Sequence, residues 1–122
     1  EANISGNPVY ERKKLKPEAM QSLGEVSLIG DAAHPMSPFK GQGANQALLD
    51  ALALARGISR GCQPSSKWRE VGIRKSVLTE FEAEMIQRTT PKVNDSAAAA
   101  KFLHSKQILK VQNKPRGSLF KI

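Results

Sequence analysis

The chain has 122 residues, of which 39% are hydrophobic and 25% charged, with a formal net charge of +8. That length allows one domain or part of one, enough to bury a small core. The composition excludes overall disorder, and no apolar run approaches the roughly 18 residues of a membrane span.

The chain opens EANISG, with neither Met nor a charged and then apolar leader, so no signal peptide is expected and the sequence reads as a processed or excised piece. Without a secretory signal, the sequons at Asn3 and Asn94 are read as chance. Residues 1–20 read as an extended arm, with a strand end at Pro8-Val9-Tyr10, a basic run over 12–16 and a break at Pro17. Residues 25–29, EVSLI, read as a strand entered through Gly24 and left through Gly30. Being nearly all apolar, the strand is expected to be buried on both faces, as in a parallel sheet.

Two prolines and two glycines make 35–43 a constrained loop, and a helix is expected over 44–59. Leu48, Leu52, Ala55 and Ile58 form its apolar stripe, while Gly57 and Gly61 loosen its end before a 63–66 linker. A second helix is expected over 67–90 and a third over 92–109, with Thr90-Pro91 as a boundary or kink. From Lys101 onward six basic residues and no acid carry most of the charge. Phe102 and Phe120 are the only aromatics among them, so a solvated terminus is expected rather than a nucleic-acid site. The single Cys62 excludes an internal disulfide and a CxxC motif, and it fits a reducing, cytoplasmic setting.

The chemistry concentrates in GDAAHPMSPFKGQGANQALLDA, residues 30–51. Asp31 follows the expected strand, where α/β sheets bind ligands, and a carboxylate there can accept hydrogen bonds from sugar or polyol hydroxyls. Taken alone, Asp31 reads as a turn former that bonds its own backbone. Gly41-Gln42-Gly43 lets backbone approach a ligand and opens a helix whose first N–H groups favour an electron-rich oxygen. Asn45 adds a side-chain donor and acceptor, and Pro35 and Pro38 stiffen the loop. GQGANQ lacks the third glycine of GxGxxG and does not directly follow the strand, so it is not a dinucleotide fingerprint. His34 has no nucleophile at fixed spacing and is expected to be structural, hydrogen-bonded under the loop; His104 has no second metal ligand nearby.

As a whole, the stretch resembles the second flavin-contacting motif of the FAD-dependent, aromatic-hydroxylase-type monooxygenases, which include phenolic hydroxylases and tetracycline-inactivating enzymes. The residues that carry the resemblance are Gly30-Asp31-Ala32-Ala33-His34, Pro38, Gly41-Gln42-Gly43-Ala44-Asn45 and Asp50-Ala51. Upstream, Val9-Tyr10-Glu11-Arg12 looks like the strand returning from the substrate domain. Downstream, Phe81-Glu82-Ala83-Glu84 with Arg88, Pro91 and Ser96 is similar to the C-terminal helices.

The resemblance implies an α/β fragment, mostly helical, with one buried strand of an FAD-binding domain and about three C-terminal helices. Its parts are then the arm at 1–20, the end of the FAD-binding domain at 21–62, helices at 63–112 and a basic tail at 113–122. It also implies a cofactor site of Gly30, Asp31, Pro38, Gly41, Gly43, Ala44 and Asn45. In it Asp31 meets the ribityl chain and the amides of Gly43, Ala44 and Asn45 face the flavin pyrimidine. The implied activity is hydroxylation of an aromatic or polyketide-like small molecule with FAD, NAD(P)H and O2; an epoxidase or other oxidoreductase could share this half-site. The N-terminal GxGxxG and the Asp-Gly motif are absent from these 122 residues. The partner expected is therefore the N-terminal FAD and substrate portion of the same protein, and the chain alone is expected to be inactive and to bind FAD weakly or not at all. The competing reading is a truncated, non-catalytic helical scaffold or binding protein that retains the motif.

Overall fold

Helices account for most of the 96 residues, 15–110, that the computed structural model describes. Proline at a first helical position starts α1, Pro17–Gln21, where a missing N–H costs nothing. The chain then runs extended to a tight turn at Gly30–Ala32, through the proline loop and a second turn at Pro38–Lys40. α2 spans Gly43–Gly61, close to the expected helix. After a short α3, Trp68–Val71, Gly72 takes φ +85° and a wide π-type turn at Arg74–Leu78 feeds α4, Thr79–Leu103. A last turn covers Lys106–Lys110.

The core is a cluster of Met20, Ala33, Phe81 and Met85, with Leu15, Leu28, Leu54 and Ile86 packed around it. It joins α1, the 30–34 turn, α2 and α4, and α4 touches every one of the larger parts. Where α2 meets the π-type turn the approach is close. A Cβ on Gly61 would stand 2.7 Å from Val77 Cγ2 and 2.8 Å from the Ser76 carbonyl oxygen. Gly57 and Gly61 therefore serve close packing instead of loosening the helix end.

Four sequence expectations need correction or fall outside the described residues. The strand at 25–29 is not formed: residues 26–29 have no ladder partner, no strand occurs among the described residues, and Val26 is 59% exposed. A strand requires a neighbour for its N–H and C=O groups. Here a side chain stands in, because Arg74 donates to the carbonyls of Gly24 and Val26 while its guanidinium pairs with buried Glu82 at 2.8 Å.

The apolar stripe of α2 is not the buried face. Leu48 is 70% exposed, and Leu52, Ala55 and Ile58 are exposed with it, whereas Gln46 and Asp50 are buried. Nor does Pro91 end a helix; it sits inside α4, and the expected helices at 67–90 and 92–109 are instead α3, the π-type turn and one long helix. Proline forfeits one helical bond. Thr89 and Thr90 turn their hydroxyls back onto the carbonyls of Met85 and Ile86, at 2.7 and 2.5 Å, and α4 is gripped on both sides of Pro91, by Arg88 on Asp50 of α2 and by Ser96 on Ser37 of the loop. The 1–14 part of the arm, its strand end and the 113–122 tail lie outside the described residues. No described helix is long and apolar enough to cross a membrane.

Candidate functional site

Gly30 begins the site with φ +57°, a left-handed conformation that suits glycine, and a Cβ there would come 3.2 Å from the Cβ of Ala47. The reversed backbone swings Asp31 to the outside, where it is exposed. Asp31 has no hydrogen-bond or ion-pair partner among the described residues. Three residues on, the chain turns inward again and buries His34 at 5% exposure.

Beneath this turn lies a buried polar network. Asp50, one face of α2, is 0% exposed. Its Oδ2 accepts from the Gly30 N–H at 2.8 Å and from His34 Nε2 at 2.6 Å, so the two ends of the turn share one oxygen. Its Oδ1 accepts from Arg88 Nη2 of α4 at 2.9 Å. Arg88 also donates through Nη1 to Gln46, one turn before Asp50, and through Nε to Glu84, each at 2.8 Å. Burial alone would push the Asp50 carboxyl up, but hydrogen bonds from Arg88, Gly30 and His34 outweigh it and hold it below its ordinary value. A carboxylate only accepts, so His34 presents a proton on Nε2, while its buried Nδ1 has no partner among the described residues. The expectation of a structural His34 under the loop agrees with this geometry.

The loop beyond is held in the same way. The hydroxyls of Ser37 and Ser96 lie 2.7 Å apart, and Ser37 also donates to the Ser96 carbonyl at 2.9 Å. Pro38 is exposed at the head of its turn, and Gly41 ends that turn with φ +60°. A pocket of about 160 Å³ opens between loop and α4, lined by Ala33, His34, Ser37, Met85, Thr89 and Ser96. Asp31, Gly43, Ala44 and Asn45 do not line it.

Those four residues meet elsewhere, on the open side of the turn. A Cβ built on Gly43 would lie 3.7 Å from Asp31 Oδ1, so the carboxylate stands beside the first turn of α2. No side chain caps this helix end; the first amide with a partner is that of Gln46, which reaches the Gln42 carbonyl at 3.1 Å. The amides of Gly43, Ala44 and Asn45 therefore point outward as free donors among the described residues, with partial positive charge from the helix behind them. A hydroxyl-bearing chain that ends in an electron-poor ring with carbonyl oxygens fits this pair: an acceptor for the hydroxyls, donors for the carbonyls. Gly30, Asp31, Gly43, Ala44 and Asn45 are thus brought together, while Pro38 and Gly41 shape the loop leading to them.

The sequence reading did not give Asp50, Arg88, Gln46, Ser37 or Ser96 a role. The signal that could have found Gln46 and Asp50 is their i, i+4 spacing, two polar residues off the Leu48–Leu52 stripe.

Residues 9–65 match the family model described as FAD binding domain. The chain is 39% identical over 92 residues to the FAD-dependent monooxygenase phnB of Penicillium herquei, a match covering 75% of this chain and 20% of the relative. Over 61 residues it is 43% identical to the aurachin C monooxygenase/isomerase of Stigmatella aurantiaca, covering 49% of this chain and 16% of the relative. A 34-residue stretch is 62% identical to the 3-amino-4-hydroxybenzoate 2-monooxygenase PtmB3 of Streptomyces platensis, 28% of this chain and 9% of that enzyme. The chain thus spans a fifth or less of these curated relatives. No solved structure matches it.

Proposed function

We propose, from the match of residues 9–65 to the FAD binding domain family and from the likeness to FAD-dependent monooxygenases, that this chain supplies the ribityl and isoalloxazine half of an FAD site. The observation that carries the reading is the pairing of an exposed Asp31, without a partner among the described residues, with the uncapped amides of Gly43, Ala44 and Asn45. Asp31 accepts hydrogen bonds from the ribityl hydroxyls. The three amides donate to the carbonyl edge of the flavin pyrimidine, where the positive end of α2 favours the extra electron density of the reduced ring. Gly30 and Gly41 give the backbone its reversals, and Pro38 keeps the loop beside the ring stiff.

FAD, reduced by NAD(P)H, supplies the activation of O2 and the transfer of one oxygen atom to the substrate. The protein's share is to bind, orient and polarise it, so no acid–base pair is needed in this segment. The substrate class is an aromatic or polyketide-like small molecule, a choice supported by the aromatic substrate in the name of the Streptomyces relative.

The whole protein on this reading is a monooxygenase whose arm, 1–20, returns from a substrate domain. Its 21–62 part completes the FAD-binding domain, and 63–112 and 113–122 form helices and a basic tail. The partner of this chain is the N-terminal FAD and substrate portion of the same polypeptide, which covers the exposed leucines of α2. A reducing, cytoplasmic setting is part of the reading, supported by the free Cys62.

The test uses the full-length polypeptide. It should retain flavin absorbance through desalting and oxidise NADH or NADPH faster when a phenolic substrate is added. A polypeptide that takes up no FAD would overturn the proposal and favour the non-catalytic scaffold.

A further inference from the structure

The turn that presents Asp31 is held from beyond the residues that match the family model. α4, residues 79–103, lies beyond the matched 9–65, yet it reaches the 30–40 loop repeatedly. Arg88 binds Asp50, the shared acceptor of Gly30 and His34; Ser96 binds Ser37; Asp95 lies 3.8 Å from Lys40. Just past the helix, the ring of His104 meets Phe39 edge to face.

The Arg88 geometry is specific to a guanidinium. All three of its nitrogens are used: Nε and Nη2 on Glu84, Nη1 on Gln46, and Nη2 also on Asp50. Gln46 and Asp50 are one turn apart on α2, so the fork fixes the rotation of α2 and thereby the direction of its first amides. The same Asp50 ties down Gly30 and His34, on either side of Asp31. One side chain therefore sets both halves of the ligand-facing pair, and a lysine could not span the same acceptors.

We propose that Arg88 is a positioning residue of the flavin site, acting through Asp50 to hold the 30–34 turn and the α2 N-terminus in binding geometry. This rests on the flavin-binding reading above. Arg88 touches no cofactor itself; it removes the freedom of a glycine-started turn before the ligand arrives.

The experiment compares Arg88→Gln, Arg88→Lys and Val77→Ala in the full-length polypeptide. Val77 is buried against Gly57 and Gly61 at the far end of α2, outside the hydrogen-bond network and outside the cluster that holds Ala33, so its variant loses stability without cutting the link. Two quantities are read: amide exchange at 30–34 in the flavin-free protein, and the FAD dissociation constant at a temperature where all variants are folded. Arg88→Gln is expected to speed exchange at the turn and weaken FAD at least about tenfold, with Arg88→Lys between it and the parent. Val77→Ala should leave both near parental values.

Equal weakening of FAD by Val77→Ala and Arg88→Gln would overturn the proposal by making Arg88 one more stabilising residue. Unchanged exchange and affinity in Arg88→Gln would overturn it outright. A parent that binds no FAD would instead remove the flavin reading, and this proposal with it.

Discussion

Asp50 is fully enclosed and still ionised, because every lone pair in use faces a donor: Gly30, His34 and Arg88. Removing the charge leaves those donors facing nothing. Asp50→Asn turns an acceptor into a group with two N–H bonds aimed at donors, so a loss of about 3 kcal/mol is expected, at the lower end of the cost of breaking a buried pair. Urea unfolding at neutral pH measures it. The pH dependence has a definite sign. The folded carboxyl sits below its ordinary value of 3.8, so its stabilisation is present above that value and is lost as pH falls through the lower, folded one. The difference in stability between the parent and Asp50→Asn should therefore shrink steadily as the pH falls below about 4. A difference that stays constant across that range would show that the charge of Asp50 contributes nothing.

At the scale of elements, α4 carries an internal proline without breaking. Pro91 is exposed, and the ring's cost is borne because Arg88 on one side is tied to α2 and Ser96 on the other to the loop. Pro91→Ala restores a backbone donor at a solvent-facing position. It should stabilise the chain by about 1–2 kcal/mol, less than the ~3 kcal/mol propensity gap because proline also restricts the unfolded chain. A thermal unfolding midpoint that drops in this variant would mean that the proline shapes the helix and is not merely tolerated.

The elements also show how far sequence reading reaches. The extent of α2, the stiff loop before it and the inward role of His34 were legible, because glycines, prolines and a long helical pattern are local signals. The strand was not, because EVSLI specifies only an extended, apolar segment; whether it pairs depends on a neighbour 25–29 does not contain. The polar network was hidden for a related reason, since Asp50 and Arg88 are 38 positions apart and only the fold brings them together. At Pro91 a general rule about helix ends lost to tertiary contacts on either side.

At the scale of the whole molecule, the leucines of α2 are the informative misfit. An apolar stripe says that a face is to be buried, but not against what. In the described residues Leu48 and Leu52 are exposed at 70% and 46%, and the inward face belongs to Gln46 and Asp50. On the proposed reading the N-terminal portion of the protein covers that stripe. Leu52→Lys should then change the stability of the isolated chain by no more than about 0.5 kcal/mol but cost the full-length polypeptide at least about 2 kcal/mol. Equal small effects in both would leave the stripe without a partner and remove that support for a larger flavoprotein.

The central claim is that Asp31 and the start of α2 hold the ribityl and ring half of FAD. The measurement that tests it most directly is the FAD dissociation constant of the full-length polypeptide, followed by flavin fluorescence, for the parent and for Asp31→Ala. Losing a charged acceptor for the ribityl hydroxyls is expected to weaken FAD by about 10- to 100-fold. Asp31 is exposed and has no partner among the described residues, so the unfolding midpoint of the flavin-free protein should barely move. Undiminished FAD affinity in Asp31→Ala would contradict the account, whatever else the protein does with flavin.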